Sequence, residues 1–197
     1  VRAEEEEGRG VSLTAERIEE RLQARFPDTP VRRARGEALR DPTLIVEAER
    51  LVEMCTFLRD DPELDFAMLS WLGGCDYLPR HPRFEVVYGL LSISQNARIH
   101  LKVQVAEEHP RLPSVVAVWP TANWHERETY DFYGIEFTGH PDLTRILLPE
   151  DWEGWPLRKD SPLGYEEVAF THNTPGRIKP RPELTKLKPK KVIYRAH

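Results

Sequence analysis

Arg98-Ile99-His100-Leu101-Lys102-Val103-Gln104-Val105 alternates without exception, with Ile99, Leu101, Val103 and Val105 on one side and Arg98, His100, Lys102 and Gln104 on the other. Successive side chains of a strand face opposite ways, so this stretch predicts a strand with one dry face and one wet one. Upstream, Phe84 to Ile93 and Phe66 to Leu72 are mostly apolar runs that read as two more strands. Gly73-Gly74 closes the first of them, and Pro79 and Pro82 mark the connection. Three successive strands with short connections predict an antiparallel meander. Earlier still, Thr43-Leu44-Ile45-Val46 is a β-branched run, followed by Leu51, Val52, Met54, Cys55 and Leu58 on the apolar side of a helix ending near Asp60-Asp61-Pro62. That helix is expected to cover the sheet's apolar face. A shorter helix precedes it: Thr14 caps, Leu13 and Ile18 form a hydrophobic staple, Ile18, Leu22 and Phe26 repeat at helical spacing, and Pro27 stops it.

The expected fold is therefore α+β: a small, mainly antiparallel sheet covered by helices, followed by an extended irregular C-terminal arm. Residues 1–12 are acidic, contain glycine and lack apolar periodicity, which predicts a disordered leader. The domain is expected over 13–163, with the arm at 134–163, and an extended basic tail over 164–197.

With 197 residues the chain can bury one core. Its longest uncharged run, Leu112 to His125, is broken by Pro113 and Pro120 and is shorter than the roughly 20 apolar residues that cross a bilayer. The start, Val1-Arg2-Ala3 and then Glu4 to Glu7, has neither the basic opening nor the apolar centre of a secretory signal. A cytosolic face is expected. Cys55 and Cys75 are too few for an iron-sulfur cluster, which is usually held by four thiolates, and are read as small, partly buried apolar residues. From Thr171 onward eight basic residues face one acid, Glu183, so a body near −12 carries a tail near +7 beneath a net charge of −5.

Asn123 to Tyr133 reads as a helix in which Asn123 caps, Glu126 reciprocates and Gly134 ends the last turn. Aromatic groups and carboxylates are mixed on both of its sides, so the helix is expected to be enclosed, partly by another chain. Buried carboxylates need partners, and Arg127, Arg145 and Arg158 are the natural candidates, because arginine's planar fork meets a carboxylate with two hydrogen bonds. Beyond it, Gly139 to Asp160 is too rich in proline, glycine and charge for a regular element, yet it holds Trp152 and Trp155, which argues for order.

Glu126-Arg127-Glu128-Thr129-Tyr130-Asp131-Phe132-Tyr133-Gly134-Ile135, then Gly139-His140-Pro141-Asp142-Leu143, then Pro156-Leu157-Arg158-Lys159-Asp160 resembles the signature of the 30 kDa subunit family of respiratory complex I, the NADH-quinone oxidoreductase. Phe84-Glu85-Val86-Val87-Tyr88, Pro113-Ser114-Val115 and Ala122-Asn123-Trp124 add to the resemblance, which spans roughly Phe66 to Leu163. Thr144 departs from it, standing where a basic residue is expected, with Arg145 beside it. The resemblance implies a non-catalytic structural subunit of the hydrophilic arm of a proton-translocating, membrane-bound enzyme. It further implies docking on complex I subunits D, B and I, the first forming the quinone site and the other two bearing iron-sulfur clusters. The implied location is peripheral, on the cytoplasmic side of the cell membrane, which the chain meets only through the complex. No cofactor, metal or catalytic residue is expected in this chain; FMN, iron-sulfur clusters and quinone belong to the complex. The expected interface residues are Glu126, Arg127, Glu128, Asp131, His140, Pro141, Asp142, Arg145, Trp152, Trp155, Pro156, Leu157, Arg158, Lys159 and Asp160.

Set against this, His125 and Glu128 lie one turn apart and, with Glu126 and Asp131, could form an acid-base or metal cluster, but no nucleophile accompanies them. Ion pairing with arginines and caps is the plainer reading. His140, between Gly139 and Pro141, reads as a turn residue bonded to backbone or carboxylate. The basic tail carries Ile178, Leu184, Leu187, Val192, Ile193 and Tyr194 and four prolines, which favours a strap on a protein over a patch for nucleic acid. Two alternatives stay open: the equivalent subunit of a related hydrogenase or ferredoxin-linked quinone reductase, and a module binding an acidic partner through its tail.

Overall fold

The computed structural model describes residues 13–34 and 41–161; the expected leader and basic tail lie outside them. Helix α1 (Ala15–Arg25) starts as expected, with Thr14 Oγ1 accepting from the Arg17 N–H at 3.3 Å, and buries Ile18 and Leu22. Strands β1 (Arg32–Arg33) and β2 (Thr43–Val46) follow, then a 3-10 turn at Ala48–Arg50 and α2 (Leu51–Asp60). Leu51, Met54, Cys55 and Leu58 line the buried side of α2, and Phe57 meets Phe26 edge-to-face at 6.0 Å.

Strands β3 (Met68–Asp76), β4 (Phe84–Ser92) and β5 (Ala97–Val105) form the expected antiparallel meander. With β2 parallel to β5 and β1 antiparallel to β2, the five-stranded sheet has the order β1-β2-β5-β4-β3. The pairing puts Leu44, Leu101, Tyr88 and Leu72 in one row across it, and Val46, Val103 and Val86 in the next. All are buried, and they meet Cys55, Leu58 and the rest of the apolar core. Burying a leucine or valine side chain stabilises by about 1.5–3 kcal/mol, so these rows hold the domain together. The opposite face is less wet than the alternation implied: Lys102 is half-buried and ion-paired at 2.9 Å with Glu85, which is nearly enclosed.

Two expectations about this layer are corrected. Gly73-Gly74 does not close β3, which runs on to Asp76. At Gly74 a Cβ would stand 2.8 Å from Tyr133 Cδ2 and 3.0 Å from Thr129 Cγ2, so this glycine lets helix α3 (Ala122–Tyr133) approach the strand. The region after Gly134 is also not wholly irregular. Strand β7 (Glu136–Thr138) pairs in parallel with β6 (Arg111–Pro113), matching Leu112 to Phe137, so α3 is the crossover of a small β-α-β unit.

The expected capping box at Asn123 and Glu126 does not form: α3 begins at Ala122 with no side-chain cap. The chain already turns helically beforehand, with Trp119 N–H to Val115 O and Ala122 N–H to Trp119 O, both at 2.9 Å. Gly134, at φ +69°, ends the helix as expected. The described residues enclose the helix only on one side. Ala122, Glu126, Thr129 and Asp131 are buried, but Trp124 is 60% exposed and Glu128 faces solvent.

Candidate functional site

The arm from Gly139 to Ser161 is laid on α3 and on the ends of β3 and β4 by three polar nodes. The first is Asp131, fully buried on α3. One oxygen accepts the N–H groups of Ile146, Leu147 and Leu148 at 3.1, 2.8 and 2.9 Å, and the other accepts Arg145 Nη1 at 2.8 Å. Burial pushes this carboxyl upward, but the three amides and the guanidinium outweigh it and hold it below the usual carboxylate range. An anion bonded by successive backbone amides fixes the shape of the chain that supplies them.

The second node is Arg83, whose side chain is 1% exposed. It grips Asp76 through Nε at 3.0 Å and Nη2 at 2.8 Å, Asp160 at 2.6 and 3.1 Å, and Glu107 at 2.6 Å. Lys159 N–H adds a 2.8 Å bond to Asp76, so the Arg158-Lys159-Asp160 segment is tied to the C-terminal end of β3. Burial would raise Asp76, yet Arg83 and the Lys159 and Leu78 amides bring it down to about 2. The third node is Trp155. It lies against Gly134, where a Cβ would stand 2.4 Å from its ring, and meets Tyr130 edge-to-face at 5.2 Å. Arg145 and Arg158 stack over it at 4.8 and 5.8 Å.

Of the three expected arginine partners, only Arg145 meets a carboxylate of α3. Arg127 instead donates to Thr144 O, Thr144 Oγ1 and Arg145 O, which gives Thr144 a role as an acceptor. Arg158 donates to Tyr133 O at 2.6 Å and stacks over Phe84 at 5.0 Å. Arg83, with Asp76, escaped the sequence reading. The only hint was a lone arginine between a proline and an apolar strand, and nothing local places it beside residues 76 or 160.

His140 is the turn residue expected: its Nδ1 accepts the Asp142 N–H at 3.0 Å, and its Nε2 lies 3.3 Å from Asn123 O. Glu126 accepts from Ser114 Oγ at 2.6 Å and Val115 N–H at 2.7 Å. Glu128, Pro141 and Asp142 are exposed, and Pro156 is half-buried. Outward, the rigid arm and α3 present large apolar side chains: Trp124 at 60% exposure, Leu147 at 60%, Leu157 at 50% and Trp152 at 45%. Glu150, Asp151, Glu153 and Lys159 are exposed among them. Trp124 carries Arg127 over its ring at 5.4 Å. Such groups on a pre-shaped surface suit contact with another macromolecule. Among the described residues no helix is long and apolar enough to cross a membrane, and no three His, Cys, Asp or Glu groups come together as metal ligands would.

Residues 44–167 match the family model described as the respiratory-chain NADH dehydrogenase 30 kDa subunit. The C subunit of NADH-quinone oxidoreductase from Roseiflexus sp. strain RS-1 is 58% identical over 154 residues, 78% of this chain and 87% of that protein. Its counterpart in Herpetosiphon aurantiacus is 51% identical over 156 residues, 79% of this chain and 89% of that protein. A solved trypsin-resistant fragment of Nqo5 is 36% identical and superposes with a TM-score of 0.55, covering 65% of this chain and 98% of the fragment. A chain of an archaeal membrane-bound sulfane sulfur reductase shares the fold at 21% identity, with a TM-score of 0.61 over 75% of this chain and 85% of its own. The α+β sheet with its long ordered arm is therefore that of the respiratory-chain NADH dehydrogenase 30 kDa subunit family, the C subunits of NADH-quinone oxidoreductase, to which this chain belongs.

Proposed function

We propose that this chain is a non-catalytic structural and assembly subunit of the hydrophilic arm of a proton-translocating NADH-quinone oxidoreductase. In this reading it docks on subunits D, B and I, which form the quinone site and bear iron-sulfur clusters, and sits peripherally on the cytoplasmic side of the cell membrane. FMN, iron-sulfur clusters and quinone are held by other subunits of the complex, and this chain binds none of them.

The observation that carries the reading is the exposure of Trp124 on α3 and of Leu147, Trp152 and Leu157 on the arm, whose course Asp131 and Arg83 fix. Tryptophan is over-represented among the residues that dominate interface energies, and a surface already fixed in shape loses less entropy on docking. The chain's own chemistry here is positioning: cationic and anionic groups pair with one another and leave apolar side chains facing out.

The test is recovery of the tagged full chain from native membranes. Subunits B, D and I are expected to come with it, and a preparation containing none of them would overturn the proposal. The purified chain by itself is expected neither to oxidise NADH nor to retain flavin.

A further inference from the structure

Glu126 and His140 meet where α3, the turn after β6 and the turn after β7 converge. Their side chains are both fully enclosed, with His140 Nε2 4.0 Å from Glu126 Oε2. The chain itself sets the histidine tautomer. Asp142 N–H donates to Nδ1 at 3.0 Å, and a ring nitrogen that accepts carries no proton. The ring proton is therefore on Nε2, which faces Asn123 O at 3.3 Å and the Glu126 carboxyl beyond it. A histidine held this way is uncharged and gives Glu126 no counter-ion.

No other element among the described residues supplies one. From α2, Cys55 faces the carboxyl, and from β4, Tyr88 does; burial first, then Glu126 for Cys55, and burial first, then Cys55 and Glu126 for Tyr88, push both up, so both stay neutral. From the turn after β6 come Ser114 Oγ and Val115 N–H, which are dipoles. On α3 itself the near neighbour is Asn123; its Oδ1, like the Tyr88 hydroxyl, is buried without a hydrogen-bond partner. Among the described residues no lysine or arginine pairs with Glu126, whereas Asp76, Glu85 and Asp131 each have one.

We propose that Glu126 and His140 form a buried proton-binding pair: while Glu126 is a neutral acid, the contact of His140 Nε2 with Asn123 O fastens the Gly139–Asp142 turn onto α3, and that turn loosens when Glu126 ionises. Ionisation releases the Glu126 proton to solvent and leaves an enclosed anion. That anion gains a counter-ion only if His140 takes a second proton at Nδ1, and this displaces the Asp142 N–H that closes the turn. The alternative is for the turn to open and admit water. Either route moves Gly139-His140-Pro141-Asp142, a segment continuous with Leu143 to Leu148 around Asp131.

Burial pushes the Glu126 carboxyl up to about 7, against the pull of the Ser114 and Val115 hydrogen bonds, so the change falls near neutral pH. The sign follows from linkage. A carboxyl whose folded value lies above its unfolded one stabilises the fold at low pH, and that stability is lost as pH rises from the ordinary glutamate range toward neutrality. The pair holds whether or not the chain docks as proposed above.

The test is the full chain and its Glu126→Gln variant, melted at intervals between pH 5 and 8. The wild-type Tm is expected to fall relative to the variant by on the order of 5 °C across that range. Parallel profiles would overturn the proposal. If the variant does not fold, NMR of the wild-type chain decides: the Glu126 Cδ resonance is expected to titrate near neutrality, with His140 protonated at Nε2 only. A Glu126 midpoint in the ordinary glutamate range, or an Nδ1-protonated ring below it, would contradict the pair.

Discussion

Leu101 in the middle of β5 and Asp131 near the end of α3 are both completely buried, and they are held by opposite means. Leu101 sits in a row with Leu44, Tyr88 and Leu72 and is stabilised by exclusion from water, which has no preferred direction. Asp131 is stabilised by three amides and one guanidinium aimed at its two oxygens. The sheet layer tolerates any apolar group of suitable volume, whereas the arm needs each donor and acceptor in place. The arm thereby gains a fixed shape without a core of its own, which leaves Leu147, Trp152 and Leu157 free to face outward.

This contrast is sharpened first at Arg83, which belongs to both regions. Arg83→Met would strand the enclosed Asp76 carboxylate and free Asp160, a loss of about 3–5 kcal/mol by urea unfolding at neutral pH. Leu101→Ala is expected to cost about 3 kcal/mol, with the same value at pH 4 and pH 7, because its row partners Leu44, Tyr88 and Leu72 carry no group that titrates there. Asp131→Asn is expected to cost about 2 kcal/mol, measured by urea unfolding, and to expose the arm selectively. Limited proteolysis should then cut between Arg145 and Arg158 while the meander stays intact; cleavage inside the meander would break the distinction.

Acid provides the same separation without mutation. Asp76 titrates at about 2, and Asp131 and Asp160 lie below their ordinary values, so their contribution is present above the ordinary aspartate range and lost as pH falls through the folded values. Tryptophan fluorescence reporting on Trp155 should change in that window, before far-UV circular dichroism reports loss of the sheet. The smallest expected effect has the opposite sign. Tyr88 buries its hydroxyl beside Cys55 and Glu126 without a hydrogen-bond partner, so Tyr88→Phe should stabilise by up to about 1 kcal/mol in the same urea assay.

The same contrast explains what could be read from the sequence. Alternation at Ile99 to Val105, the β-branched run at Thr43 to Val46 and the capped repeat Ile18, Leu22 and Phe26 are local records of burial, and they placed the sheet and two helices closely. Gly74 was misread because a glycine that ends a strand and one that admits a helix look alike until the helix is in place. Strand β7 was missed because three residues carry too little pattern to separate it from its surroundings. At the site, the pairing of Asp131 with Arg145 was within reach, since Arg145 was one of three arginines expected to meet the carboxylates of α3. Arg83 with Asp160 was not, since 77 residues separate them. Glu126 was read as half of a capping box because its spacing fits one; its actual partners, Ser114 and Val115, are placed by the β6-α3 turn.

The proposed docking rests on an arm shaped from within, whose exposed apolar side chains, with Trp124 of α3, are left to meet other subunits. It is tested most directly by changing Trp124, Leu147 and Trp152 together to serine in the full chain and comparing two readouts. The expected outcome is a melting temperature close to wild type, since surface changes of this kind usually stay within about 0.5 kcal/mol each, together with loss of the chain from the membrane complex. Recovery in the complex at the wild-type level, with folding intact, would contradict it.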